Sequence, residues 1–212
     1  MSEADYLALQ QWLSPAFPVG GFAWSHGLET AIAQGFVADA GSLEDWLKLV
    51  IGRGSGLLDA TLLVAAMDPN ANFETIDAKA KAFAGSSERL AETKAQGEAF
   101  VLAHNALTER ELLPVALPVA VGRAAQDLGL TPVSVAAHYL QAFAANLVSA
   151  AVRLVPLGAV EGQSTLQALR PTILDTAETA SKASVETLAM SQPGADFQAL
   201  RHETQDVRLF RS

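Results

Sequence analysis

The chain has 212 residues, half of them hydrophobic, no cysteine, and 14 Lys and Arg against 23 Asp and Glu, which gives a net charge of −9. The absence of cysteine excludes a disulfide framework, a thiolate metal site and a cysteine nucleophile, and an acidic chain without a basic run is a poor match for nucleic acid. Alanine and leucine, the strongest apolar helix formers, supply 40 and 29 residues, so the composition predicts an all-α protein.

The amino-terminal part of the chain is predicted to hold two short helices joined by a rigid loop. It opens with two acidic residues and no Lys or Arg before its apolar residues, which is not the pattern of a secretory signal. Apolar periodicity predicts a helix at 5–13 and a second over about 23–34, while the prolines and glycines of 15–21 would interrupt a continuous helix. The second helix would place His26 and Glu29, three residues apart, on one face.

The middle of the chain is predicted to be a series of helices. Ser42, with Asp45 three residues later, is typical of the N-cap of a third helix. Three closely spaced glycines would weaken or hinge that helix: Gly52, Gly54 and Gly56. Further helices are predicted at about 58–67, 73–85, 88–106 and 116–128. A short helix after Gly162, a break near Pro171 and a longer helix to about Met190 complete the prediction. We therefore expect a single-domain bundle of roughly eight to ten helices over 1–212.

The stretch from Leu128 to Val152 is long and uncharged enough to be considered as a membrane span. Its polar side chains, however, recur at helical spacing on one side, and a polar stripe facing lipid would be costly. We therefore expect a buried helix in a cytosolic protein, with Thr131 as N-cap, Pro132 in the first turn, and an end at Pro156 and Gly158. The polar stripe consists of Ser134, His138, Gln141 and Ser149.

The sequence carries little that is typical of a catalytic site. It has no phosphate-binding loop, and its four histidines are scattered without metal-ligand spacing. The run from Ala23 to Gly27 is one residue away from a nucleophile elbow around Ser25, but no strand is predicted before it. A helical hydrolase using Ser25, a metal-dependent enzyme using scattered His and Glu, and a helical regulator that binds only another protein remain as alternatives.

Three stretches of the chain carry a resemblance to a known family. They are SPAFPVGGFAWSHGLE at 14–29, VRLVPLGAVEGQ at 152–163 and RHETQDVRLFRS at 201–212. They resemble the signatures of the UreF family of urease accessory proteins, in the same order and at similar distances, with Trp24 where Tyr or Phe is more usual and Asp206-Val207 in place of Tyr-Ser. The signature residues outside the tail are Pro15, Pro18, Gly20, Gly21, Ser25, His26, Gly27, Glu29, Arg153, Pro156, Leu157, Gly158, Gly162 and Gln163.

The resemblance implies a function that composition and spacing do not supply. Proteins of this family are all-α, dimer-forming scaffolds without catalytic activity or a cofactor of their own. They bridge the accessory protein UreD, called UreH in some organisms, and the GTPase UreG. That assembly loads nickel, as cargo, and carbon dioxide into apo-urease. The resemblance therefore implies a cytoplasmic homodimer with protein partners, and with neither nucleic acid nor a membrane as partner.

The signature residues divide into a structural group and a partner-binding group. We expect Phe17, Phe22 and Trp24 to be core anchors, the 15–21 loop to shape a turn or a surface, and Gly162-Gln163 to start a helix. Arg153 is expected to bury its stem and pair with a carboxylate. The tail, 201–212, is expected to become ordered on a partner, with docking on its own domain as the alternative. The partner-binding residues would be Arg201, His202, Glu203, Arg208, Leu209, Phe210, Arg211 and Ser212.

Overall fold

The computed structural model describes residues 2–188 and 193–211, and within these ranges it is all-α, as composition predicts. It contains eleven α-helices, one more than the upper end of the expected range, and two 3-10 helices, at Gly21–Ala23 and Val185–Thr187. The α-helices are α1 (Glu3–Trp12), α2 (Leu28–Ala33), α3 (Ala40–Arg53), α4 (Ser55–Ala66), α5 (Phe73–Ala82), α6 (Ser87–Leu107), α7 (Leu117–Ala125), α8 (Pro132–Leu154), α9 (Ala159–Ala168), α10 (Arg170–Lys182) and α11 (Pro193–His202).

Helix α8 lies at the centre of the bundle. It packs against α1, α2, α3, α4, α9 and α10, and side chains such as Leu140, Ala144 and Leu147 are fully buried in the main core. As predicted, Thr131 is its N-cap, accepting the backbone N–H of Ser134, and Pro132 occupies the first turn. A smaller apolar cluster joins α4, α5 and α7.

Two stretches of the structure are long and apolar enough to cross a membrane: Ala40–Ala66 and Pro132–Leu154. The first is α3 and α4, which are separated at Gly54. In the most apolar windows of these stretches, 61% and 50% of the residues are buried inside the bundle. The core helices of globular proteins can have the same length and composition. Helix α8 packs as a core helix, which is what its polar stripe led us to expect instead of a membrane span.

Several predicted helix boundaries are wrong, three of them at the second, third and carboxyl-terminal predicted helices. The second helix is only α2, because Gly27 adopts a left-handed φ of 73° immediately before it. The third helix starts earlier than predicted, with Asp39 as N-cap and Ser42 at the third helical position; their side chains and backbones bond reciprocally. The carboxyl-terminal helix expected to reach Met190 ends at Lys182, and Met190 itself lies outside the described residues.

Candidate functional site

The carboxyl-terminal segment lies against its own chain, which is the alternative that the sequence left open. Phe210 is 7% exposed and belongs to the main core, and the N–H of Arg211 donates to the carbonyl oxygen of Ala23 at 2.8 Å. The partner-binding role predicted for Phe210 is therefore corrected: in this structure its ring fills a place in the chain's own core. Ser212 lies outside the described residues.

Glu29 in the first turn of α2 anchors this segment. Its carboxylate is 6% exposed and accepts the backbone N–H groups of Leu209, at 2.8 Å, and Phe210, at 3.0 Å. The same carboxylate lies 3.1 Å from Nε2 of His202, whose side chain is fully buried. Charge-assisted hydrogen bonds of this kind are about twice as strong as neutral ones, so one side chain of the first signature positions the backbone of the third.

Glu88 on α6 is a second anchor. Its carboxylate lies 2.7 Å from Nδ1 of His202 and 2.7 Å from the guanidinium of Arg208. Because carboxylates only accept, both ring nitrogens of His202 are satisfied when both carry a proton. Directly before Glu88, the N–H and hydroxyl of Ser87 donate to Glu203, and these bonds hold the pKa of the Glu203 carboxyl below its ordinary value.

All three signature stretches meet at this segment. The guanidinium of Arg153 lies 5.0 Å from the centre of the Phe210 ring, and that of Arg211 lies 5.8 Å from the Trp24 ring. Arg153 is exposed and donates to the carbonyl oxygen of Ser149 at 3.1 Å. Among the described residues no carboxylate pairs with Arg153, so the expected pairing is wrong there, and its guanidinium instead covers Phe210.

The outer side of the tail remains accessible. Val207 and Leu209 are 77% and 75% exposed, and the predicted partner-binding residues Arg201, Arg208 and Arg211 are also exposed. Of these, Arg201 donates to the side chain of Gln34 at 2.7 Å. The tail thus exposes apolar and cationic side chains to solvent, while its backbone is hydrogen-bonded to Glu29 on the side that faces the bundle.

The second signature lies at the junction of α8 and α9. Gly162 is buried inside α9, where a Cβ would lie 2.8 Å from the side chain of Val152, so the prediction that Gly162-Gln163 starts a helix is wrong. The helix starts after Gly158, which donates its N–H to Glu161. Pro156 and Gln163 are exposed, and Leu157 is half-buried.

The first signature forms a turn-rich loop before α2. Pro15 and Pro18 are exposed, Gly20 has a left-handed φ of 70°, and Gly21 begins a 3-10 helix. Phe17 and Trp24 are buried as expected, but Phe22 is 66% exposed, so the prediction that it is a core anchor is wrong. At Gly27 a Cβ would lie 2.6 Å from the backbone of Ala199, so only glycine lets α11 approach this closely.

Ser25 and His26 do not lie on a helix. Ser25 is fully buried, and its hydroxyl accepts the N–H of Glu29 at 3.4 Å, which is the geometry of a structural turn rather than of an exposed nucleophile. His26 has a φ of 55° and is 9% exposed, with Nε2 3.0 Å from Glu92 on α6. The expectation that His26 and Glu29 share one helical face is therefore wrong.

Sequence reasoning missed the buried polar cluster that surrounds Glu92. The Arg89 guanidinium lies 2.6 Å from Asp59 and 3.6 Å from Glu92, and the hydroxyl of Tyr139 donates to Asp59 at 2.9 Å. Burial alone would raise the pKa of Glu92, but the charges of His26 and Arg89 outweigh it and lower that pKa. Burial and the charge of Asp59 raise the pKa of Tyr139.

A sequence signal for this cluster did exist. Positions four residues apart on α6 share one helical face, and a row at this spacing runs along its inner side. Its members, all but the first of which are buried, are Glu88, Glu92, Gln96, Phe100 and His104. Polar residues in register with a buried Phe indicate an inward-facing polar row, although periodicity does not identify their partners.

Comparison with known proteins gives a consistent result. The UreF family model matches residues 37–170, more than half of the chain. The urease accessory protein UreF of Cereibacter sphaeroides is 50% identical over 212 residues, 99% of each chain. The proteins of the same name from Paracoccus denitrificans and Dinoroseobacter shibae are 49% and 47% identical, covering 99% of this chain and 97% and 99% of their own.

Proposed function

We propose, because the chain belongs to the UreF family of urease accessory proteins, that it bridges UreD (UreH) and the GTPase UreG in the cytoplasmic assembly that delivers nickel to apo-urease. It is an accessory protein, not an enzyme. Nickel is the cargo of that assembly, and the proposal assigns no nickel-binding role to this chain. The partners bind this chain through protein–protein interfaces, and it functions as a homodimer.

The observation that carries the proposal is the joining of the three signature stretches around one segment. Hydrogen bonds from its backbone to the Glu29 carboxylate hold the tail against the bundle, and the side chains of Val207 and Leu209 remain exposed. A pre-positioned segment that exposes apolar groups beside arginines is suited to binding a protein, because arginine is enriched in hot spots and the order of the segment lowers the entropy cost of association. We propose that this face binds UreD.

Co-purification from cells that express the urease operon tests this assignment. Leu209→Asp changes only an exposed side chain, because the anchoring bond to Glu29 comes from the Leu209 backbone. We expect it to weaken recovery of UreD at least tenfold with an unchanged melting temperature. Leu113→Asp, on another exposed apolar residue, is the control. Equal recovery of UreD with both variants would contradict the role of the tail.

Deleting the gene tests the proposal in cells. Urease subunits should remain folded and abundant but contain little nickel and show low activity, because the missing step is metal delivery. Metal analysis of the purified urease, with an activity assay, measures this. Fully active, nickel-replete urease from the deletion strain at ordinary nickel levels would overturn the proposal.

A further inference from the structure

A cavity of about 210 Å³ lies beside the first signature loop and between α6, α7 and α8. Much of its wall is aromatic, with rings from Trp12, Phe100, Tyr139 and Phe143, and the exposed Phe22 lies at its edge. An engineered apolar cavity of about 150 Å³ binds benzene, so this space is large enough for an aromatic ring with a small substituent.

One side of the cavity is built from buried charges. Asp59, Glu92 and Arg89 line it together with His26, and Asp59 and Glu92 are 4% and 2% exposed. The wall thus carries two carboxylates, Asp59 and Glu92, beside the single guanidinium of Arg89. Oε2 of Glu92 lies 3.6 Å from the Arg89 guanidinium but accepts no hydrogen bond from the residues that the structure describes, so it can still accept one from a ligand.

The backbone conformation at His26 indicates local strain in this wall of the cavity. His26 has a φ of 55°, a conformation that residues with a Cβ rarely adopt. Its ring packs edge-on against Phe143, with centres 4.7 Å apart, and is tied to Glu92. Strain of this kind persists where surrounding contacts impose it and is concentrated at binding sites.

We propose that this cavity binds an organic cation, a compact ammonium, amidinium or guanidinium group. Aromatic rings attract such cations through their faces, and the carboxylates supply hydrogen-bond acceptors and charge. Within the described part of the chain, no group of three or more His, Asp or Glu side chains is placed to hold a metal ion. The cation is either a free small molecule or the end of a Lys or Arg side chain of a partner protein.

Titration with benzamidinium, followed by NMR of the full-length protein, tests the proposal. We expect saturable shifts at residues lining the cavity, with millimolar or tighter affinity. Benzamide, the neutral analogue, should bind at least tenfold more weakly, and benzoate should not bind. Equal binding of all three would show a merely apolar cavity, and the absence of binding by any would show that no such site exists; either result overturns the proposal.

Variants distinguish the cavity from the protein surface. Glu92→Gln should weaken benzamidinium binding at least tenfold, whereas Glu98→Gln, an exposed position on the same helix, should leave it unchanged. Because Glu92→Gln also disturbs the buried cluster, Ala142→Leu provides a second test: it adds volume at a lining position that carries no charge, and it should also abolish binding. Unchanged binding by a folded Ala142→Leu protein would overturn the proposal.

A competition experiment distinguishes the two sources of the cation, a partner's side chain and a free small molecule. If a partner's side chain occupies the cavity, saturating benzamidinium should reduce recovery of UreD or UreG, and Ala142→Leu should do the same. If the cation is a free molecule, assembly is unaffected although benzamidinium binds. Benzamidinium binding does not depend on urease, so a failure of the urease assignment and a failure of the cavity site are distinguishable.

Discussion

At Glu29 a single carboxylate accepts two backbone N–H groups and faces a buried histidine ring. The signature sequence marks Glu29 as important, but its partners are Leu209 and Phe210, far away along the chain. Glu29 fixes the position of the tail, and the tail is the segment that we propose binds UreD.

Glu29→Gln should loosen the tail without unfolding the bundle. The amide keeps one acceptor oxygen and presents donors to backbone N–H groups, so we expect a loss of about 2 kcal/mol, as for other hydrogen bonds to charged groups. For a chain of this size that lowers the melting temperature by about 4–8 °C. Hydrogen exchange should accelerate at least tenfold at 203–211. Glu98→Gln is the control, and slow tail exchange in both variants would contradict this role.

Glu92 should make stability sensitive to acid. Its pKa is lowered in the folded protein, so it contributes stability above its unfolded pKa of about 4.3, and that contribution disappears as pH falls through the lower folded value. Urea unfolding between pH 6 and pH 3.5 should therefore show a shallower loss of stability for Glu92→Gln than for the wild type. Parallel curves for the two proteins would refute this, and Glu98→Gln should follow the wild type.

At the scale of elements, the boundaries at α2 and α3 illustrate the limits of local patterns. The run from 23 to 34 has helical apolar spacing, yet its first part turns through His26 and Gly27 because their contacts with α6 and α11 require it. At α3, Asp39 and Ser42 are both good capping residues, and the reciprocal bonds between them decide which residue is the N-cap. Local propensity predicted that the helices exist but not their first residues.

The packing of α6 against the segment before α7 depends on Gly97. A Cβ there would lie 1.9 Å from the carbonyl oxygen of Val115 and 2.8 Å from the nitrogen of Leu117, both backbone atoms. Gly97→Ala should therefore cost about 3 kcal/mol and lower the melting temperature by about 6–12 °C.

Gly52 in α3 is the matched control for that substitution. The atom closest to a Cβ there is a Thr172 methyl at 3.6 Å, an ordinary contact. Because alanine is the better helix former, Gly52→Ala should stabilise the protein by about 0.5–1 kcal/mol. Thermal melts of both variants measure the contrast, and a similar effect of the two substitutions would contradict the close packing at Gly97.

At the scale of the whole molecule, the net charge of −9 bears on self-association. Two copies therefore repel one another, and the repulsion is weakest when they meet through a surface without carboxylates. The half-buried side of α8 offers such a surface, because 128–152 contains no charged residue. This favours an isologous dimer formed through α8.

Sedimentation at micromolar concentration should show that dimer, and its dissociation constant should fall as salt screens the repulsion between the two copies. Gln141→Glu would place a carboxylate on each side of the interface and should weaken dimerisation at least tenfold. Gln167→Glu, at an exposed position on α9, should have little effect. A strictly monomeric wild-type protein, or equal dimerisation of both variants, would contradict the α8 interface.

The sequence by itself determined the all-α class, most helices, the start of α8 and the family signatures, because these depend on propensities and patterns that act within a few residues. Only the tertiary structure decided that Glu29 holds Leu209, 180 residues away, that Arg153 covers Phe210, and that Glu92 lies among Arg89, Asp59 and His26. Such pairings depend on how the helices pack, and the sequence alone does not distinguish a buried charged residue from an exposed one. Contacts between distant residues therefore had to be found in the folded chain.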